Sequence, residues 1–203
     1  MPINNTIIFI VELLLKNVAK HVQLNKEEEQ ILLDSFVLTR HPARTKLLKS
    51  GEVCINSFFV VSGILRNYCL DDNQANEHTI NFATTDWWIA DMYSFLSQKP
   101  GNSYIEVVED AIIMTQSREQ QLAIFERIPK MERFFRILME RSLIANQQRL
   151  IDNMALSAEE RYKRFCQRFP TIKYNVPQKQ IASYLGVTPE FFSKMKKKLL
   201  MEK

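Results

Sequence analysis

From Lys130 to Met154 the sequence contains neither glycine nor proline, and its apolar residues recur at helical intervals. A helix of about 25 residues is roughly 37 Å long, longer than most globular domains need. Phe134, Ile137, Leu138, Ile144, Ala145 and Ile151 mark one apolar stripe on it, with Ile137, Ile144 and Ile151 a heptad apart. Phe135, Met139, Leu143, Asn146 and Leu150 mark a second. Two stripes call for two partners. The arrangement preferred here puts the preceding domain against one stripe and a second copy of the helix against the other. The first stripe then supplies the dimerisation residues. Packing of both stripes within one chain also satisfies the spacing.

On either side of this helix the texture changes. From Phe36 to about Gln116 short apolar runs alternate with turn signals at His41-Pro42, Ser50-Gly51-Glu52, Ser62-Gly63, Asp71-Asp72-Asn73-Gln74 and Lys99-Pro100-Gly101-Asn102. Phe58–Val61, Ile64–Leu70 and His78–Phe82 read as strands, and such closely spaced short strands suggest a β-roll. Ahead of it, Asn25 with Glu27, Glu28 and Glu29 reads as a capped helix start. After the long helix, Ser157-Ala158-Glu159-Glu160 is a capping box that opens a helix to about Arg168, where Pro170 stops it. Thr171–Val176 is expected to be extended. The fold class is α+β, with a sensor-like β-roll over residues 1–128, a dimerisation helix over 129–155 and a helical DNA-binding domain over 156–203.

The formal net charge is +4, but the whole excess sits at one end. Residues 161–203 carry eleven lysines and arginines against Glu190 and Glu202, while residues 1–117 are net acidic. A block of that kind attracts phosphate, or is simply a solvated face, and the local pattern decides. Pro177 suits a first helical turn, Ile181, Ala182 and Leu185 form a buried face, and Gly186 supplies the positive φ of a tight turn above Val187. Thr188 then caps a second helix, with Pro189 at its first position and Glu190 in its first turn. That helix buries Phe192, Met195 and Leu199. The result is a helix-turn-helix whose DNA-facing set is Gln178, Lys179, Thr188, Pro189, Glu190, Phe191, Ser193, Lys194, Lys197 and Lys198. Residues near the start of the second helix reach base edges in the major groove, and the later lysines neutralise phosphates of double-stranded DNA.

Other classes of function find no support. No apolar run approaches the length that spans a bilayer, and Thr6–Leu15, interrupted by Glu12, reads as a core-facing helix rather than a signal peptide. Cys54, Cys69 and Cys166 are scattered, which suits a reducing cytoplasm. His21, His41 and His78 are isolated, so no metal or haem site is expected, and the chain lacks the P-loop, GxSxG, HExxH and GxGxxG patterns of common enzymes.

Taken together, Gly51-Glu52, Phe58–Arg66 and Asp86–Asp91 in the roll, with Ile181–Glu190 and Ser193-Lys194 behind it, resemble the Crp/Fnr superfamily of bacterial transcription regulators, in particular its Bacteroidetes-type variants. The resemblance implies a cyclic-nucleotide-binding-like double-stranded β-helix of cupin type, a homodimer, a pseudo-palindromic operator and RNA polymerase as a further partner. It also implies an effector pocket at Trp88, Ala90, Asp91, Met92, Tyr93, Asn102 and Ser103. Nucleotide-binding members hold the ribose and cyclic phosphate with a Gly-Glu pair and an Arg-Ser pair. Ala90-Asp91 and Asn102-Ser103 stand at those places, so neither cAMP nor cGMP is expected to bind, no cofactor is expected, and the pocket is left to a different small effector. On the reading helix, Pro189-Glu190 and Lys194 replace an Arg-Glu pair and a following arginine, which predicts a different operator. The customary wing after that helix is expected to be absent or reduced. An output through protein contacts, with vestigial DNA binding, is the competing reading.

Overall fold

A computed structural model of the protein describes residues 3–73 and 75–201, with the side chains of residues 3–7 and of Leu200 left out. Gln74 of the expected turn lies outside the described residues, as do Glu202 and Lys203 of the basic block and any wing beyond them.

Helix α1 (Ile3–Ala19) sends Ile10, Leu14 and Val18 into the core at i, i+4, i+8 spacing, as an amphipathic helix should. The expected cap at Asn25 is present. Asn25 Oδ1 accepts from Glu28 N at 2.9 Å, Glu28 returns the bond to Asn25 N, and α2 (Lys26–Asp34) begins there. Six antiparallel strands follow: β1 (Val37–His41), β2 (Lys46–Leu48), β3 (Asn56–Leu70), β4 (Glu77–Ala83), β5 (Trp87–Ile89) and β6 (Ser103–Ser117). One short helix, α3 (Met92–Ser97), lies between β5 and β6. The strand order is β1-β6-β3-β4, with β2 on β6 and β5 on β3.

β3 and β6 form the spine. They pair from Asn56–Ser117 at one end to Cys69–Ser103 at the other. Here the sequence reading needs correction, because Ser62-Gly63 is not a turn between two strands. It is an irregularity inside one continuous β3, where the register against β6 shifts between Val60 and Leu65. Gly63 has φ +87° and its α-carbon lies so close to β6 that a Cβ would stand 2.7 Å from Ala111 Cα and closer still to the Asp110 carbonyl. A bulge glycine of this kind lets a long strand bend while its pairing continues.

Three clusters of buried side chains divide the molecule. The first joins α1 and α2 to α4 (Arg118–Arg127), to the start of α5 (Lys130–Ala155) and to one face of the roll. The second fills the roll itself, around Phe58, Leu65, Phe95 and Ile113. The third belongs to the C-terminal helices α6 (Ala158–Arg168), α7 (Ile172–Asn175), α8 (Gln178–Leu185) and α9 (Pro189–Met201). It also includes Ile64 and Phe82 of the roll, so the two regions share a core. The expected extended segment Thr171–Val176 is instead the single turn α7, whose Ile172 is fully buried in that core.

Gly63 separates two kinds of cost. Gly63→Ala should destabilise by more than the roughly 1–3 kcal/mol of left-handed backbone strain, because a backbone overlap is added. Gly51→Ala, at φ +86° in open space, should cost only the strain. Urea unfolding of both variants checks this, and equal losses would show that β6 yields at Asp110.

Candidate nucleic-acid interface and effector groove

The helix-turn-helix forms as its residues require. Pro177, expected inside the first turn, stands one place earlier as the N-cap residue of α8, with ψ 135°, and the helix begins at Gln178. Ile181, Ala182 and Leu185 are buried against Phe192 and Met195 of α9. Gly186 ends α8 in the left-handed region at φ +68°, with Val187 N donating to Ala182 O at 3.0 Å, the closure that glycine C-caps commonly make. Thr188 Oγ1 then accepts from Phe191 N at 3.2 Å and caps α9, which starts at Pro189.

All ten residues expected to face DNA are exposed. Gln178 and Lys179 open α8. Glu190, Phe191, Ser193, Lys194, Lys197 and Lys198 run along the open side of α9, and Phe191 is 52% exposed. Lys198 also reaches Glu159 on α6 at 3.3 Å, a surface pair of small energetic weight. The α9 N-terminus adds the positive end of a 13-residue helix to this face.

The position of this motif is set by the roll. α8 lies along β4, whose outer edge pairs with no further strand among the described residues. Ser183 Oγ accepts from Thr79 N at 2.8 Å and donates to Glu77 O at 2.5 Å. Arg149 of α5 donates to Thr79 O at 2.9 Å, to Tyr184 O at 3.2 Å and to Ile80 O, with its guanidinium 4.2 Å from the centre of the Tyr184 ring. Burial holds the Arg149 pKa below its ordinary value. Nothing in the sequence patterns pointed to Arg149 or Ser183, because both act across separations of 35 residues or more.

All seven residues expected at an effector pocket line one groove of about 1520 Å3, between the roll, α1, α4 and α5 as far as Asn146. Within it they differ in availability. Asp91 is buried with both carboxylate oxygens engaged, Oδ1 by Ser94 N at 3.2 Å as the α3 cap and Oδ2 by Ser103 Oγ at 2.6 Å. Asp91 and Ser103 therefore hold each other. Trp88 packs on Phe36, Phe59, Phe134 and Phe135, and its Nε1 donates to Asn17 at 3.0 Å, so it is mainly a core residue. Tyr93 and Asn102 are open to the groove. Arg66, the nearest cation on β3, is bound at 2.8 Å by Glu77 and at 2.7 Å by Glu106 and is not available to a ligand.

Sequence reasoning missed the cations of the other walls: Lys20, Arg118, Arg136, Arg141 and Arg168. His21 sits among them, and its pKa falls below the ordinary value through burial, then through Arg141, Lys20 and Arg133.

The long helix divides lengthwise rather than by face. Its first turns bury Met131, Phe134 and Phe135, with Leu138 packed beside them. Phe134 is thus corrected: it contacts His21, Trp88 and Phe135 of its own chain and has no free surface for a second copy. Further along, Met139, Leu143, Ile144, Leu150, Ile151 and Met154 are all exposed, including Met154, which neither stripe contained. Ile137 and Ala145 are half-buried.

No protein-family model matches the sequence, and no curated protein matches it. Solved structures do. FixK2 from Bradyrhizobium japonicum superposes at a TM-score of 0.72, with 15% identity over 82% of this chain and 85% of its own. The c-di-GMP-responsive global regulator CLP of Xanthomonas campestris gives 0.70, with 15% identity over 88% of this chain and 93% of its own. A protein described as a transcriptional regulator of the Crp/Fnr family, from Eubacterium rectale, gives 0.68 with 19% identity, covering 88% and 85%. The chain has the cyclic-nucleotide-binding-like β-roll and C-terminal helical unit of the Crp/Fnr regulators.

Proposed function

We propose that this chain is a sequence-specific, DNA-binding transcription regulator of the Crp/Fnr type that acts as a homodimer. The observation that carries the reading is the capped helix α9. Its first turn presents Glu190 and Phe191, and its following turns present Lys194 and Lys197, in a chain whose fold superposes on such regulators over 82–88% of its length. Glu190 can accept from a cytosine amino group and Lys194 can donate to guanine, whereas Pro189 offers no side-chain donor. The dimer uses the uncovered second half of α5, where Leu143, Ile144, Leu150, Ile151 and Met154 form a row that only another apolar surface would cover. Two α9 helices then address successive major grooves, about 34 Å apart on a pseudo-palindrome.

The regulator does not answer to cAMP or cGMP. Asp91 is already closed by Ser94 and Ser103, Arg66 is held by two glutamates, and Asn102 brings no charge to the place of the phosphate. The resemblance to a c-di-GMP-responsive regulator extends to the fold, and the groove takes an effector of other chemistry, framed by Tyr93, Asn102 and the arginines of α4 to α6. No helix among the described residues is long and apolar enough to cross a membrane. A cytoplasmic regulator that also meets RNA polymerase fits this reading.

Selected duplexes test the DNA half. Glu190→Ala should relax preference at one base pair by about 1–3 kcal/mol. Lys197→Ala should weaken all sequences alike and lower the salt slope by about one. Binding indifferent to both substitutions overturns the reading.

The dimer half is separable from folding. Ile144→Glu with Ile151→Glu should give a monomer by sedimentation with an unchanged unfolding midpoint per chain at low concentration. Phe134→Ala should instead cost roughly 3–5 kcal/mol of stability as a filled core position. Millimolar cAMP should leave the melting temperature unmoved, since a ligand specific for the native state raises it.

A further inference from the structure

Beside the groove, and sharing Arg141, Ala145 and Arg168 with it, a smaller cleft of about 380 Å3 opens where α5, α6 and α8 meet. Five guanidiniums line it, those of Arg141, Arg149, Arg161, Arg164 and Arg168, against the single carboxylate of Asp152. Their engagements are unequal. Arg149 is spent on the carbonyls of Thr79, Ile80 and Tyr184, and Arg161 on those of Leu156 at 2.8 Å and Asn153 at 3.4 Å. The Nε of each is buried without a partner. Arg164 pairs with Asp152. Arg141 and Arg168 have no ion pair among the described residues, and Arg168 only rests on the Trp87 and Phe169 rings.

Carbonyls orient a guanidinium but do not neutralise it. The cleft therefore holds four positive charges beyond what Asp152 balances, in a concave space where their repulsion is less screened than in open water. Guanidinium forks match the oxygens of a phosphate. We propose that this cleft is a binding site for a small phosphate-bearing anion, held by Arg141 and Arg168 with Arg164 shared from Asp152. The volume lies at the lower end for small-molecule sites and suits a di- or triphosphate group. Duplex DNA is not the occupant. None of the exposed α9 residues lines the cleft, whose walls are α5, α6 and the buried Tyr184 and Leu185 of α8.

The test is calorimetric titration of the full chain with sodium tripolyphosphate at constant ionic strength. One saturable site per chain is expected. Arg141→Gln and Arg168→Gln should each weaken it about tenfold, with the melting temperature of the ligand-free Arg141→Gln chain retained. Asp152→Asn should tighten it, because the competing carboxylate is gone. Lys163→Gln, outside both cavities, and Arg136→Gln, which lines only the groove, should change nothing. Non-saturable binding, equal weakening by Lys163→Gln or Arg136→Gln, or weakening by Asp152→Asn overturns the proposal. So does a parallel loss of duplex affinity in Arg141→Gln, which would make the cleft a contact for DNA phosphates. Failure on the first three counts leaves the reading of α9 intact, because tripolyphosphate binding and operator preference are measured separately.

Discussion

The edge of β4 is the constraint on which the arrangement of this molecule rests. An edge strand presents unpaired N–H and C=O groups, and proteins cover such edges or blunt them. Here the cover is made of side chains from elsewhere in the chain: Ser183 serves Thr79 N and Glu77 O, and Arg149 serves Thr79 O and Ile80 O. Beneath them Phe82 is fully buried against Phe165, Phe169 and Tyr184. Separating the C-terminal helices from the roll would expose that ring and give these backbone groups over to water at the same time. Burial of a phenylalanine is worth on the order of 1.5–3 kcal/mol, and each hydrogen bond exchanged for one to water forfeits about 0.5–1.5 kcal/mol. Helix α9 is therefore oriented by the β-roll of its own chain.

That dependence explains what the sequence made legible. The turn from α8 to α9 follows from residues at most a few positions apart: Gly186 for positive φ, Thr188 for the cap, Pro189 for the first turn. Local chemistry fixes local structure, and the exposed positions of the ten residues expected to face DNA follow from it. Asn25, Ser117 and Ser157 belong to the same class, each closing a capping box on a residue three positions on, although Ser117 was not singled out. Ser62-Gly63 failed for a related reason. A positive-φ glycine looks the same locally in a turn and in a bulge, and only the ladder from β3 to β6 decides which it is. The contacts of Arg149, Ser183 and Phe82 lie beyond any local rule, since they depend on how a strand and a helix far apart in sequence are brought together.

The long helix shows the same limit from another side. Its two stripes have similar composition, so periodicity assigned them to two faces. What separates them is reach. At 1.5 Å per residue the 26 residues of α5 span about 39 Å, and apolar packing against the first cluster is confined to its first turns, although Arg149 still reaches β4. Phe134 and Ile151 belong to one stripe, yet one is sealed within the chain and the other is exposed. In the groove, likewise, the seven expected residues do converge, but convergence is not availability. Asp91 and Ser103 satisfy each other, and Trp88 belongs to the core.

The strand β5 joins these regions through the alternation of its side chains. Successive strand residues point to opposite faces, and Trp87 and Trp88 are successive. Trp88 enters the cluster of α1 and α5, among Phe36, Phe59, Phe134 and Phe135. Trp87 packs on Phe169 in the core of the C-terminal helices, with Arg168 stacked 5.5 Å above its ring. Both rings also border the groove, next to Ala90 and Asp91. Close-packed interiors respond to displacement by repacking rather than by flowing. A shift of β5 must therefore be absorbed in two cores at once, one under the first half of the long helix and one under the helix-turn-helix. Through Trp87 this three-residue strand connects the groove with the core beneath the helix-turn-helix.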